Sequence, residues 1–377
     1  MFQYTCLPFG LSSAPRIFTK VLKPIFATLR ERGHSVLGYL DDTILLADSI
    51  LDCEKAVTEC VGLFQDLGFV VHEKKSVFEP TQSLMFLGFV LNSIDMTVTL
   101  TPEKKANIKT LCQDFVQLSE APIRTVARVI GKLVAACPGS DYGLVFCKPL
   151  EIAKNKALGE NFGNFDAIMP ITSEMKACFE WWRDNVFQQF RNIDHAEPDL
   201  SVFTDASKKG WGAYILHGNK AKGQWSVVES ERHINELELL AVLFALKSLC
   251  TAIRAVHIRI VSDNTTTVSY INNQGGAKSP GCNEVAQQIW KWALNRQVWL
   301  SASFIKGTDN VKADRLSRKF DDQIEWSLND KVFSKIQSLW GTLKIDLFAS
   351  RLNRKCRRYV SWKPDPEASF IDAFSEN

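Results

Sequence analysis

Four acidic residues in the second half of the chain lie where carboxylates could share a ligand. Asp205 follows the strand-like run LSVFT, and Asp263 follows HIRIVS. Glu238 lies in the apolar stretch ELELLAVLFAL, where an ionised carboxylate is costly without a partner or a cation. Asp314 lies in KGTDNVKADRLSR, where a loop leads into a predicted helix. Two carboxylates at strand ends and two on helices match the needs of a pair of Mg²⁺ ions, which take several oxygen ligands and retain water.

Each acid also has a simpler structural explanation. Asp205 could be a turn residue and Asp263 could cap the helix predicted at NTTTVSYI. Glu238 could be ion-paired, and Asp314 could lie on the surface. For any one acid alone the structural explanation is favoured, because capping and turns are what Asp does most often. A metal-binding role becomes the favoured interpretation only when the four acids are considered together.

A second pair of carboxylates, Asp41 and Asp42, lies in SVLGYLDDTILLAD between two runs of strand-forming residues. The pattern predicts a hairpin with strands at 35–40 and 43–47. Adjacent carboxylates repel each other unless they are solvated or bound to cations. A solvated turn explains this dipeptide without any function, and a metal-binding hairpin is the alternative.

The elements around these acids differ between the two halves of the chain. In the first half we predict a helix over 53–67, a strand over 84–91 with a glycine break, and helical structure over 102–137. The Asn/Gly-rich stretch 153–170 predicts a linker. From residue 200 onward, predicted strands at 201–204, 211–216 and 257–261 are interleaved with an apolar helix, which indicates an α/β domain.

The composition narrows the class of protein. At 377 residues the chain has room for two or three domains, with 46% hydrophobic and 23% charged residues. A net charge of +3 permits a nucleic-acid partner but does not by itself indicate one. Ten cysteines without CxxC spacing argue against a zinc site or a disulfide framework and favour reduced, intracellular thiols. No apolar run approaches the ~18 residues of a membrane span, and MFQYTCLPFG lacks signal-peptide features, so we expect no membrane partner.

The first half resembles the reverse transcriptases. Four segments occur in the family's order. LPFGLSSAP resembles the turn near nucleotide and template, and YLDD resembles the metal-binding palm hairpin. EKKS falls where the family has a lysine near the nucleotide phosphates, and FLGF resembles the primer grip. The helical segment with VIGKLVAACP is similar to the thumb of DIRS-type retrotransposon enzymes. The resemblance implies that Asp41 and Asp42 are catalytic and that Asp41 binds metal. The implied substrate-binding residues are Phe9, Gly10, Lys75 and Gly88.

The same resemblance implies an incomplete polymerase. In the family, a further metal-binding Asp comes from a palm strand upstream of the Pro-Phe-Gly-Leu motif, and the sequence begins at MFQYT, too late to include it or the fingers. We therefore expect an N-terminally truncated palm, without RNA-directed DNA polymerase activity from this chain alone. An outside chain could supply the strand, and an incomplete gene model of a full, active reverse transcriptase is a further alternative.

Residues 198–319 resemble retroelement ribonuclease H, in the order FTDAS, ELLAVLFAL, VSDN and ADRLSR. The match departs from the family at FIKG, where Phe304 stands in place of the usual His and Lys306 in place of the usual Pro. Because Phe can neither transfer a proton nor bind a metal, we expect slower turnover with the metal pair retained. The resemblance implies two Mg²⁺ ions, with Mn²⁺ as a substitute, held by Asp205, Glu238, Asp263 and Asp314.

Basic residues near these motifs are candidate contacts to an RNA–DNA hybrid or a template-primer, whose phosphates attract cations. Lys208 and Lys209 adjoin the first acid, and Lys278 lies in the loop NNQGGAKSPG, which a solvated surface loop explains equally well. The tail contains a basic run at 351–358 and faintly resembles the opening of phage-type adenine methyltransferases. The sequence stops before their catalytic motif, so we expect no methyl transfer.

Taken together, the sequence predicts an α/β and α+β multidomain fold. The expected segments are a partial palm (1–98), a thumb and connection (99–197), an RNase H-like α/β domain (198–320) and a tail of unknown role (321–377). The expected function is Mg²⁺-dependent cleavage of RNA in RNA–DNA hybrids by a retroelement polypeptide, with other retroelement proteins as further partners. The alternative is a non-catalytic nucleic-acid-binding remnant.

Overall fold

The computed structural model describes residues 7, 8, 10–320 and 326–375. These residues form two compact units. The first comprises those up to Lys105 together with Gln189–Ile193, and the second comprises Ala106–Gln188 and those from Asp194 onward. Both units combine helices and strands, which confirms the mixed fold class expected from the sequence. Among the described helices, none is long and apolar enough to cross a bilayer.

The first unit is built on a hairpin between two helices. It contains α1 (Ala14–Glu31), β1 (Ser35–Tyr39), β2 (Asp42–Leu46), α2 (Ile50–Asp66), β3 (Ser83–Phe86), β4 (Phe89–Asn92) and β5 (Thr97–Leu100). The antiparallel hairpin β1–β2 confirms the predicted one. Gly38 in β1 leaves room for the ring of Phe26, since a side chain at that position would overlap it. The apolar core beneath the hairpin consists of Leu22, Ile25, Phe26, Leu29, Val36 and Cys60.

In place of the single strand predicted over 84–91, the structure has the antiparallel pair β3–β4. Leu87 and Gly88 have positive φ angles of 50° and 75°, and the chain reverses at these two residues. Positive φ at both central residues is typical of a two-residue hairpin turn, which Gly adopts without steric strain. The glycine break in the pattern was therefore a turn. Strand β5 pairs with β4 on one side and with Arg191–Asn192 on the other.

The middle of the chain is mainly helical but more interrupted than predicted. It contains α3 (Pro102–Gln117), β6 (Glu120–Pro122), α4 (Ile123–Ala136), α5 (Gly143–Glu160), β7 (Ile168–Pro170), α6 (Ser173–Asn185) and β8 (Arg191–Asn192). Helices α3 and α4 are separated by β6, because Pro122 is extended and lacks the N–H of a helical bond. The prediction of a linker over 153–170 was wrong for residues 153–160. These residues continue α5, in which Ala157 is buried.

From residue 200 the second unit contains a five-stranded sheet with helices. Its elements are β9 (Leu200–Ala206), β10 (Gly210–Ile215), β11 (Lys220–Gln224), α7 (Val227–Ser230), α8 (Ile234–Leu249), β12 (His257–Ser262), α9 (Thr265–Asn272), α10 (Pro280–Leu294), β13 (Trp299–Phe304) and α11 (Val311–Arg318). The strand order is β11-β10-β9-β12-β13, in which β9, β12 and β13 are parallel. Helix α8 packs on β9, β10 and α10, so it is apolar nearly all round.

The tail folds as part of the second unit. It consists of α12 (Asp330–Trp340), β14 (Ile345–Asp346), β15 (Arg358–Ser361) and β16 (Phe370–Ile371). The three short strands are parallel, with β15 in the centre. Parallel strands have no direct hairpin connection, so the chain returns between them through loops. One of these loops contains the basic run predicted at 351–358 except for its last residue, Arg358, which begins β15.

Candidate metal centre

Three of the four predicted acids meet at one edge of the five-stranded sheet. Asp205 lies near the end of β9, and Asp263 directly follows the neighbouring parallel strand β12. Because parallel strands end at the same edge, the two carboxylates lie side by side. Glu238, in the first half of α8, reaches the same place from the helix packed on β9. One carboxylate oxygen from each of Asp205, Glu238 and Asp263 lies within 4.8 Å of the other two.

Asp263 does not cap the following helix. The N-cap of α9 is Asn264, whose side-chain oxygen accepts a hydrogen bond of 2.9 Å from the backbone N–H of Thr267. The Asp263 carboxylate is therefore left for another role. The loop after β13 passes close to it, since a Cβ at Gly307 would lie 2.9 Å from Asp263 Oδ2. A glycine at this position keeps the carboxylate accessible.

Burial and mutual repulsion disfavour the ionised forms of two of these acids. Glu238 is only 5% exposed, and burial, followed by the charges of Asp205 and Asp263, raises its pKa to about 9. Burial also raises the pKa of Asp205 to about 6, against the lowering effect of a hydrogen bond from Ser317. Glu238 Oε2 is buried without a hydrogen-bond partner. The three acids thus have more negative charge than their surroundings offset, and a divalent cation would supply the missing positive charge.

The fourth acid, Asp314, lies near Asp205 but is not grouped with the other three acids. Its side chain is 42% exposed, and its Oδ1 accepts a hydrogen bond of 2.5 Å from Arg318 Nε within α11. Its charge nevertheless contributes to the raised pKa of Asp205. The Arg318 cation acts on the same cluster, because it lowers the pKa values of both Asp205 and Glu238. Arg318 is thus a built-in counter-charge for the acids.

Two buried polar residues fasten α11 to β9. Ser317 Oγ donates a hydrogen bond of 2.5 Å to Asp205 Oδ2, and Asn310 Nδ2 donates one of 3.0 Å to the carbonyl of Thr204. Sequence reasoning missed both residues. Ser317 lies three residues after Asp314, which places the two side chains on one face of a helix. That spacing was the available signal, but it does not by itself show which strand the face contacts.

Phe304 lies at this edge of the sheet, and the basic candidates differ in how far they are engaged by other groups. Phe304 pairs with Ser262, the residue before Asp263, and is 54% exposed. Lys209 and Lys278 are exposed. Lys208 is engaged, since its ammonium group donates a hydrogen bond of 2.6 Å to the carbonyl of Arg232. All three lysines are exposed, and the ammonium group of Lys208 is held by backbone carbonyls.

The candidates in the first unit lie in separate elements. Asp41, in the hairpin turn, and Asp42, at the start of β2, are both exposed. Within the described ranges, the only group of three or more potential metal-binding side chains is the one at Asp205, Glu238 and Asp263. Lys75 ends an exposed 3₁₀ turn, Gly88 is in the β3–β4 turn and Gly10 has a φ of 89°. Phe9 lies outside the described residues.

Two segments of the chain match models of known protein families. Residues 1–91 match the family model "Reverse transcriptase (RNA-dependent DNA polymerase)", and residues 195–296 match "RNase H-like domain found in reverse transcriptase". The "Enzymatic polyprotein" of Cauliflower mosaic virus (strain D/H) is 26% identical over 352 residues, covering 85% of this chain and 46% of the viral protein. The "Genome polyprotein" of Petunia vein clearing virus (isolate Shepherd) is 23% identical, covering 84% of this chain and 14% of its own length.

A solved foamy viral protease–reverse transcriptase in complex with double-stranded DNA is 17% identical, with a TM-score of 0.43, covering 81% of this chain and 60% of the viral chain. The chain spans less than half the length of the curated relatives described above. The two matched segments occur in the same order as the hairpin unit and the five-stranded sheet. Two segments of the chain are thus similar, in this order, to the reverse transcriptase family and to the RNase H-like domain found in reverse transcriptases.

Proposed function

We propose that this chain cleaves the RNA strand of RNA–DNA hybrids in a reaction that depends on Mg²⁺. One observation carries the proposal: three carboxylates from two parallel strands and a buried helix bring their oxygens within 4.8 Å of one another, at a place without a compensating cation inside the triad. Such a cluster is unfavourable without metal and favourable with it. The matches of this chain to the reverse transcriptase model and to the RNase H-like model support the same activity.

Asp205, Glu238, Asp263 and Asp314 would hold two Mg²⁺ ions, for which Mn²⁺ can substitute. When bound, the ions activate water and stabilise the charge that develops on the phosphorane. The protein's own contribution is positional. Ser317 fixes the orientation of the Asp205 carboxylate by a hydrogen bond, and Asp263 is partly exposed. Glu238 would give up its proton on binding the ions, since its pKa is about 9 without them.

Several residues around the acids would bind the substrate. Lys209 and Lys278 are exposed cations that can pair with phosphates, and this contact carries no sequence preference. Phe304 presents an exposed ring where a proton-transferring side chain would speed turnover. We therefore propose a slow nuclease. The same residue favours the second candidate function, a polypeptide that binds hybrids without cutting them.

Polymerisation by this chain alone is not part of the proposed function. Asp41 and Asp42 lie at an exposed hairpin, and the described residues offer no third carboxylate beside them. Two-metal phosphoryl transfer needs carboxylates that bridge both ions. We also propose a DIRS-type origin, which is supported by the VIGKLVAACP segment in α4 and the turn after it.

A hybrid-cleavage assay tests the proposal. The purified chain is incubated with an RNA–DNA hybrid labelled on the RNA strand, in Mg²⁺ or in EDTA, beside duplex DNA and duplex RNA of the same sequence. We expect RNA cleavage only in the hybrid and only with Mg²⁺. Cleavage that survives EDTA would contradict the metal site, while hybrid binding without any cleavage would favour the second function.

A further inference from the structure

A largely buried arginine, Arg351, links the tail to the five-stranded domain. Arg351 Nη1 donates a hydrogen bond of 2.8 Å to Glu229 Oε1, and its Nη2 donates one of 2.9 Å to the carbonyl of Gln224. Its guanidinium lies 4.8 Å from the centre of the Phe244 ring. Both members of the ion pair are largely buried. Two hydrogen bonds from one guanidinium, largely shielded from solvent, hold the tail in one orientation on edge strand β11.

An open cleft lies between β11 and the tail. Gly223, Gln224 and the buried Trp211 contribute from the domain side. Trp362 and Lys363 contribute from the tail side. The tail and the nuclease domain therefore make a site that neither has alone.

The chemistry of the cleft combines an open aromatic face with excess positive charge. Trp362 is 67% exposed, and the Lys363 ammonium lies 5.1 Å from the centre of its ring. Lys222 adds a second cation, held by a hydrogen bond of 2.6 Å to the carbonyl of Lys319. The one carboxylate in the lining, Asp365, already accepts bonds from Tyr359, Arg351 and Glu367. Its charge is therefore directed toward the protein and away from the cleft.

We propose that this cleft binds a single-stranded stretch of nucleic acid, with one base stacked on Trp362 and a neighbouring phosphate at Lys363 and Lys222. Indole rings stack on any base, and lysines attract any phosphate, so this recognition would be independent of sequence. The charge of the tail agrees, since residues 326–375 contain nine Lys and Arg against five Asp and Glu. The inference extends the proposed function from the hybrid to an adjoining single strand, and it rests on that function only for the class of partner.

Binding of a labelled single-stranded oligothymidylate to the full chain in EDTA tests the cleft separately from catalysis. Trp362→Ala should weaken binding at least about fivefold, as expected for the loss of one stacked base. Trp340→Ala is the matched control, because Trp340 is 79% exposed in α12 and does not line the cleft. Lys363→Gln should lower the slope of log affinity against log salt by about 0.7, whereas Lys335→Gln on α12 should leave it unchanged.

Equal affinities for Trp362→Ala and Trp340→Ala would overturn the cleft proposal, whatever the chain does to hybrids. Weaker binding by Trp362→Ala alone, in a chain that cleaves nothing, would uphold the cleft and refute the nuclease. Circular dichroism of each variant excludes unfolding as the cause of a loss. The two proposals therefore fail by different measurements.

Discussion

Replacing Glu238 by Gln should remove a pH-dependent loss of stability that is present only without metal. The side chain is buried, and its pKa rises from 4.5 to about 9 on folding. Between these pH values the folded state holds a proton that the unfolded state has released. The unfolded state thus binds fewer protons, so the free energy of unfolding falls as pH rises, by about 1.4 kcal/mol per pH unit. Over the whole interval the loss is about 6 kcal/mol.

Between about pH 6.5 and 8.5 the pH dependence of stability should come mainly from Glu238. Asp205, whose pKa is about 6, contributes its own loss of stability mainly below that window. In EDTA, the free energy of unfolding from urea titrations should fall by about 3 kcal/mol more in the wild type than in Glu238→Gln across these two pH units. Added Mg²⁺ should flatten the wild-type curve, because the cation stabilises the ionised carboxylate.

Glu238→Gln is close to isosteric and neutral at every pH, so the comparison leaves the packing of α8 almost unchanged. A second readout is calorimetric: Mg²⁺ binding near pH 7.5 should release about one proton in the wild type and fewer in the variant, as measured in buffers of different ionisation enthalpy. Parallel stability curves for the two proteins in EDTA would refute the reasoning, since they would mean that Glu238 is already ionised in the folded state.

Two further substitutions test the surroundings of the acids. Arg318→Gln should tighten Mn²⁺ binding about fivefold, as measured by calorimetry. The substitution removes the cation that pairs with Asp314, so the negative charge of the cluster increases. Weaker Mn²⁺ binding would mean that Arg318 orients Asp314 and does not compete with the metal. Phe304→His should raise the cleavage rate at least about tenfold, because a partly exposed imidazole can transfer a proton. The pH–rate profile should also gain a limb near pH 6.5. An unchanged profile would show that this position takes no part in turnover.

Much of the site could be predicted because its acids follow recognisable local patterns. Asp205 and Asp263 come at the ends of apolar strand-like runs, and Glu238 interrupts a buried helix. Strand and helix assignments that rest on periodicity therefore placed these residues on the right elements. The resemblance to reverse transcriptases and ribonuclease H added the order in which the elements occur, and the matched segments support that order.

The rest depends on contacts between residues far apart in the sequence. The hydrogen bond from Ser317 to Asp205 joins α11 to β9 across more than a hundred residues, so no local pattern reveals it. The continuation of α5 through 153–160 also depends on tertiary contacts. The burial of Ala157 stabilises the helix there and outweighs the low helix propensity of the Asn and Gly residues. At 87–88 the error was different: a turn with positive φ at both residues was interpreted as a break within one strand.

The most direct test of the central claim compares two carboxamide substitutions in the hybrid-cleavage assay. Asp263→Asn alters the triad, whereas Asp42→Asn makes the same chemical change at the exposed hairpin. With Mg²⁺ and under single-turnover conditions, Asp263→Asn should slow cleavage at least about a thousandfold, equivalent to about 4 kcal/mol of transition-state stabilisation. Asp42→Asn should cleave at the wild-type rate. Equal cleavage by wild type and Asp263→Asn would contradict the assignment of the metal centre.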